Sequence, residues 1–142
     1  MQEYLDFLEA NQVLAIIWLA IFGAVIFVSI KASVSGAKKI SHQQATLLMN
    51  RENAVVVDVR GDAEFKQGHI IGSKQVPLSK FKNNELSSIE KHKDSPIIVV
   101  CNTGMTSTQA CQMLLKAGFS NVHNLQGGIT EWRSANLPLT KK

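Results

Sequence analysis

The sequence predicts an α/β domain with a mostly parallel central sheet flanked by helices, preceded by one transmembrane helix. Three observations predict it. Residues 13–30, VLAIIWLAIFGAVIFVSI, carry no charge and no proline. Two short runs, AVVVD at 54–58 and IIVV at 97–100, are the continuous apolar pattern of strands buried on both faces, as parallel sheets require. Between and after these runs come segments of helical period, so strands and helices alternate.

The N-terminal segment comes first. At about 1.5 Å per residue, residues 13–30 make about 27 Å, near the lower limit for a bilayer span. A buried core helix is one rival reading, but nothing else in so short a chain can cover the segment on every side. A cleaved signal peptide is the stronger rival. It requires a basic start, whereas this start is acidic, with Glu3, Asp6 and Glu9 and no Lys or Arg before Lys31. Lys31, Lys38 and Lys39 follow the span. By the positive-inside rule the N-terminus lies outside and everything after Lys31 in the cytoplasm. The expected division is an extracytoplasmic stretch 1–12, a transmembrane helix 13–30, a basic linker 31–39 containing Ser33, Ser35 and Gly36, and a cytoplasmic domain 40–142.

Within the domain, Ser41 can cap a helix over 42–51. Residues 54–57 form a strand ending at Asp58. A short helix over 62–67 closes at Gly68, and Val76 marks a strand or extended turn ended by Pro77. The polar stretch 79–90 reads as a short helix or two with a loop. Pro96 introduces the strand 97–100. Ser107 is the expected cap of an amphipathic helix over 108–117, stopped by Gly118. A third strand follows at 121–125, and Gly127-Gly128 turns the chain into a last helix through Trp132. The tail after Pro138 is expected to fray. Ligands of such sheets bind beyond the carboxyl ends of the strands, where Asp58, Cys101 and the Gly127-Gly128 turn fall.

Charge narrows the partners. Fifteen Lys and Arg against eleven Asp and Glu give a net charge of +4. This mild excess suits an anionic small substrate or a surface near anionic lipid. The domain aromatics Phe65, Phe81, Phe119 and Trp132 have no regular spacing, so no stacking platform for nucleic acid is expected. The two cysteines, Cys101 and Cys111, make no CxxC pair and no zinc spacing, so neither a metal nor another cofactor is expected.

Cys101 opens the loop CNTGMTS at the end of a strand and before a helix. A thiol there is activated by a helix N-terminus and by inward backbone amides. Gly104 permits the loop to curl with its N–H groups facing the sulfur. The hydroxyls of Thr103, Thr106 and Ser107 can add donors. Such a nest suits a thiolate or the outer sulfur of a persulfide. The other reading is a buried strand-end thiol, and the pattern alone leaves both open. Cys111 reads as a small core hydrophobe, with a resolving cysteine as the sharper alternative.

Taken in order, VVVDVR, Glu64-Phe65, GHIIGS, Pro77, CNTGMT followed by Ser107, and QGGITEW resemble the single-domain rhodanese family across residues 40–138. The resemblance implies a sulfurtransferase fold. It also implies that Cys101 takes sulfane sulfur from a donor such as thiosulfate, holds it as a persulfide and passes it to a thiophilic acceptor. Residues Asn102, Thr103, Gly104, Met105, Thr106 and Ser107 would cradle that sulfur. Asp58 and Arg60 would brace the site, with Glu64 as a partner for Arg60 or, alternatively, as mere surface charges. His69 would support the fold. The chain departs from the family at the last loop position, where many members carry Arg and this chain has Thr106. A hydroxyl cannot replace the bidentate cation, so weak thiosulfate use is expected, unless Lys74, Lys80, Lys82 or Arg133 supplies charge.

The layout resembles bacterial single-pass inner-membrane proteins with a cytoplasmic rhodanese-like domain. The implied partners are a sulfane-sulfur donor, a thiol acceptor, the lipid bilayer and other membrane proteins. Two further readings stand beside sulfur transfer. One is a non-catalytic, membrane-tethered scaffold. The other is a cysteine phosphatase or arsenate reductase, disfavoured by the six-residue loop and the absent Arg.

Overall fold

The computed structural model describes residues 1–34 and 36–141, without the side chains of 30–34. Two units make up the chain, Met1–Gly36 and Ala37–Lys142.

The first unit is helical. Helix α1 (Gln2–Ala10) ends at Asn11, whose N–H and side-chain amide both reach the Phe7 carbonyl, at 3.1 and 3.0 Å. Helix α2 (Gln12–Val34) follows. Its window Gln12–Ser29 has a mean hydropathy of 2.4, with none of it buried, so the helix is long and apolar enough to cross a membrane. The sequence reading missed α1 and ended α2 too early. It also took 31–39 as linker. In the structure α2 continues to Val34 and a strand begins at Lys38, while the expected linker residue Ser35 lies outside the described residues.

The second unit carries five parallel strands in the order β1-β5-β4-β2-β3. They are β1 (Lys38–Ile40), β2 (Val55–Asp58), β3 (Lys74–Gln75), β4 (Ile97–Val100) and β5 (Val122–Leu125). Edge strand β1 escaped the sequence reading because two of its three residues are exposed lysines and only Ile40 is buried. All four residues of β4 are buried, as a central parallel strand demands.

Strand period two divides the core. On one face Val57, Val99 and Val122 pack against Ala110, Cys111 and Leu114 of helix α6 (Met105–Lys116). On the other, Val56, Ile98 and Leu125 meet Ala45 of α3 (His42–Arg51) and Ile129 and Trp132 of α7 (Gly128–Ser134). Each such aliphatic side chain, fully buried, contributes about 1.5–3 kcal/mol. Ser41 begins α3 with a complete capping box, exchanging bonds with Gln44. Short helices α4 (Asp62–Gln67) and α5 (Leu78–Lys82) and a 3-10 turn at Glu90–His92 complete the fold.

Two expectations are corrected here. The tail is tied down rather than frayed: Thr140 and His69 exchange backbone bonds of 2.8 and 2.9 Å, and the Trp132 indole donates to the Pro138 carbonyl. Lys142 lies outside the described residues. Ser107 is not a helix cap. Helix α6 starts two residues earlier, capped by Gly104 in the left-handed region at φ 92°, and Ser107 is buried in its first turns.

His123 on β5 is 8% exposed, and neither ring nitrogen has a hydrogen-bond partner among the described residues. Burial lowers its pKa from the ordinary 6.5, Lys38 lowers it further, and Glu52 opposes. The folded state therefore keeps the ring neutral, while the unfolded chain takes a proton below pH 6.5. Stability is full above that pH and is lost as pH falls through the lower, folded value. His92 shifts in the same direction, chiefly by burial. The expected result is a lower urea midpoint at pH 5.5 than at pH 7.5, with His123→Leu reducing the difference. An unchanged difference in that variant would exclude His123 as the cause.

Candidate active site

The carboxyl ends of β2, β4 and β5 converge on Cys101. Asp58 ends β2, and its carboxylate is 1% exposed. It receives Arg60 through Nη2 at 2.7 Å and Nε at 2.9 and 3.1 Å, plus the Arg60 backbone N–H at 3.0 Å. Arg60 Nη2 also donates to the Gly68 carbonyl at 2.8 Å, tying β2 to the end of α4. This pair is buried, not a surface ion pair. The expected Arg60–Glu64 pairing is also corrected: Asp58, the nearer carboxylate in sequence, takes the guanidinium through Nε and Nη2. Glu64 instead accepts from Asn102 Nδ2 at 2.8 Å.

Cys101 follows β4 and is 3% exposed. Gly104 N–H donates to its Sγ at 3.0 Å. The Ser107 hydroxyl lies 3.3 Å from the same sulfur. Among the described residues these are its two hydrogen-bond partners. The nest is thus smaller than expected, with one backbone amide on the sulfur. Thr103 and Thr106 line the cavity without bonding the sulfur, and Met105 is exposed. The outward side of the loop is held by α7: Ile129 N–H donates to the Cys101 carbonyl at 2.9 Å and Thr130 N–H to that of Asn102 at 3.0 Å. Gly128, at φ 55°, permits this close approach.

Beside the sulfur is a cavity of about 240 Å³ lined by Val59, Arg60, Gly61, Glu64, Cys101, Asn102, Thr103 and Thr106. Its one cation is already matched by Asp58, leaving the Glu64 carboxylate as uncompensated charge. None of Lys74, Lys80, Lys82 and Arg133 lines it. A larger groove of about 560 Å³, between Lys80, Glu85 and Phe119, contains no thiol.

Cys111 is fully buried, its sulfur 3.8 Å from the His123 carbonyl. Burial, with Cys101 adding, pushes this thiol up to about 12, so it stays protonated and packs as a hydrophobe. His69 stacks on Phe65 with centroids 3.7 Å apart and bonds the Phe65 carbonyl through Nδ1. No group of three or more metal-ligating side chains occurs among the described residues. The sequence reading missed Asn124, which Ser107 bonds at 2.6 Å. Its signal was a lone amide at an inward position of the strand VHNL.

Residues 41–135 match the rhodanese-like domain model. The chain is 41% identical to YibN of Escherichia coli (strain K12) over 141 residues, 99% of each chain. It is 36% identical to thiosulfate sulfurtransferase GlpE of Pseudoalteromonas translucida over 98 residues, covering 69% of this chain and 90% of that one. Among solved structures, a rhodanese-related protein from Thermoplasma volcanium superposes with a TM-score of 0.63 at 27% identity, covering 74% of this chain and 99% of that one.

The GlpE relatives overturn the expected location, a single-pass bacterial inner-membrane protein with its N-terminus outside. The match takes in 90% of that relative's length but 69% of this chain, so the domain stands there without the N-terminal helices. A lone apolar helix near the N-terminus is also what signal sequences present. The charge rule orients a span only once a span is established, so the topology derived from Lys31 falls with it.

Proposed function

The chain belongs to the family of rhodanese-like domains, and from that premise we propose that it moves sulfane sulfur through a persulfide on Cys101. Kinship with thiosulfate sulfurtransferases supports sulfurtransferase activity in general terms. The observation that carries the finer reading is the setting of Cys101. Its Sγ sits at a strand end beside an open cavity, with Gly104 N–H aimed at it from 3.0 Å.

The step is a thiol–disulfide type of exchange. The Cys101 thiolate attacks the outer sulfur of a donor R–S–SH. The donor's S–S bond breaks, a new one forms to Cys101, and R–S⁻ departs while the proton stays on the transferred sulfur, giving Cys101–S–SH. An acceptor thiolate then attacks the outer sulfur and Cys101 leaves as thiolate. Nothing is oxidised overall. Gly104 N–H stabilises negative charge on the sulfur throughout. Asp58 and Arg60 hold the β2 end rigid, and Asn102, held by Glu64, fixes the cavity mouth.

The cavity offers a dianion no free cation and one carboxylate. Small persulfides are therefore the better donors and thiosulfate a poor one. Thiocyanate formation from cyanide tests this donor by donor. A kcat/KM with thiosulfate equal to that with a small persulfide would contradict the preference. Glu64→Gln should raise the thiosulfate value about fivefold, the worth of one unit charge a few ångströms away in a watery cavity, with a smaller change for the persulfide.

A further inference from the structure

We propose that Asn124 is a positioning residue that sets the direction of the hydrogen bond between Ser107 and Cys101, and so holds the resting sulfur as a thiol. The inference deepens the persulfide reading and rests on it for its purpose, though not for its test.

Asn124 lies on β5, 3% exposed, on the face covered by α6. Its amide orientation is dictated by its neighbours. The Gly104 carbonyl, which can only accept, stands 3.1 Å from one amide atom, so that atom is Nδ2. The same NH2 donates to Thr108 Oγ1 at 2.9 Å, and Thr108 passes its own proton to the Gly104 carbonyl at 3.0 Å. Oδ1 therefore faces Ser107 and accepts its hydroxyl proton at 2.6 Å.

A serine has one proton to give. With that proton on Asn124, Ser107 turns a lone pair toward Cys101 Sγ at 3.3 Å and accepts from the S–H. The expectation that Ser107 donates to the sulfur is reversed. When the sulfur loses its proton, Ser107 must swing its hydroxyl away from Asn124. Oδ1 is then left without its donor in a site where Ser107 is fully buried. Asn124 thus opposes ionisation of the idle thiol, while Gly104 N–H favours the anion once transfer begins.

The test is the pH profile of Cys101 alkylation by iodoacetamide in the full-length protein, with the modified residue identified by peptide mass. Asn124→Ala frees Ser107 to donate to sulfur. The profile should move to lower pH and the rate at pH 7 should rise about fivefold, the worth of one redirected hydrogen bond. A profile unmoved or moved to higher pH would overturn the proposal and leave Asn124 as an anchor of the loop. If Asn124→Ala does not fold, Ser107→Ala decides. It removes an acceptor of the S–H, so the profile should again move to lower pH. A move to higher pH would mean that Ser107 donates to the sulfur and would overturn the proposal. Alkylation needs no sulfur donor, so failure of the persulfide reading would be seen separately.

Discussion

Replacing Gly128 by alanine destabilises the domain by about 2–4 kcal/mol and dismantles the site. A Cβ there would meet the Cys101 carbonyl oxygen, with the Asn102 oxygen at 2.7 Å and its carbonyl carbon at 2.8 Å. All three are backbone atoms, which cannot step aside as a side-chain tip can. Those two carbonyls accept the N–H groups of Ile129 and Thr130, so relieving the contact breaks the bonds that dock α7 on the loop. The φ of 55° adds about 1 kcal/mol for any residue with a Cβ. Urea unfolding measures the loss. Sulfur transfer should fall more than tenfold even where the variant remains folded, because misplacing the sulfur by an ångström is enough to cost that much. A midpoint and a rate equal to those of the parent would contradict the close packing of α7 on the loop.

Replacing Cys101 by serine removes transfer outright. A hydroxyl fills the same place and can accept Gly104 N–H, so the fold should be kept within about 1 kcal/mol. It has no sulfur on which to form a persulfide, and a fall of about a thousandfold or more in thiocyanate formation is expected. Cys111 offers no bypass, since its thiol is fully buried and held protonated. Residual transfer above one per cent would place the sulfur elsewhere.

What the sequence disclosed follows from what its patterns encode. Strands β2 and β4 were legible because continuous apolar runs have few other uses, and α3 because Ser41 is a local helix cap. Cys101 was legible because strand, loop and helix follow one another in the chain. Strand β1 was hidden by Lys38 and Lys39, which belong to an exposed edge. Ser107 carries the residue type of a cap but takes a tertiary partner, Asn124, on a strand 17 residues away. Arg60 lay within reach of two carboxylates, and only the bend after β2 decides for Asp58. Partners chosen by packing leave no periodicity to read.

The central claim is that sulfur travels on Cys101, and mass spectrometry tests it most directly. After exposure to a small persulfide, the peptide containing Cys101 should gain about 32 Da, one sulfur atom, as a persulfide does. Cyanide should remove the gain, and Cys101→Ser should never acquire it. Absence of the adduct with every sulfane donor tried, in a folded protein, would contradict the claim.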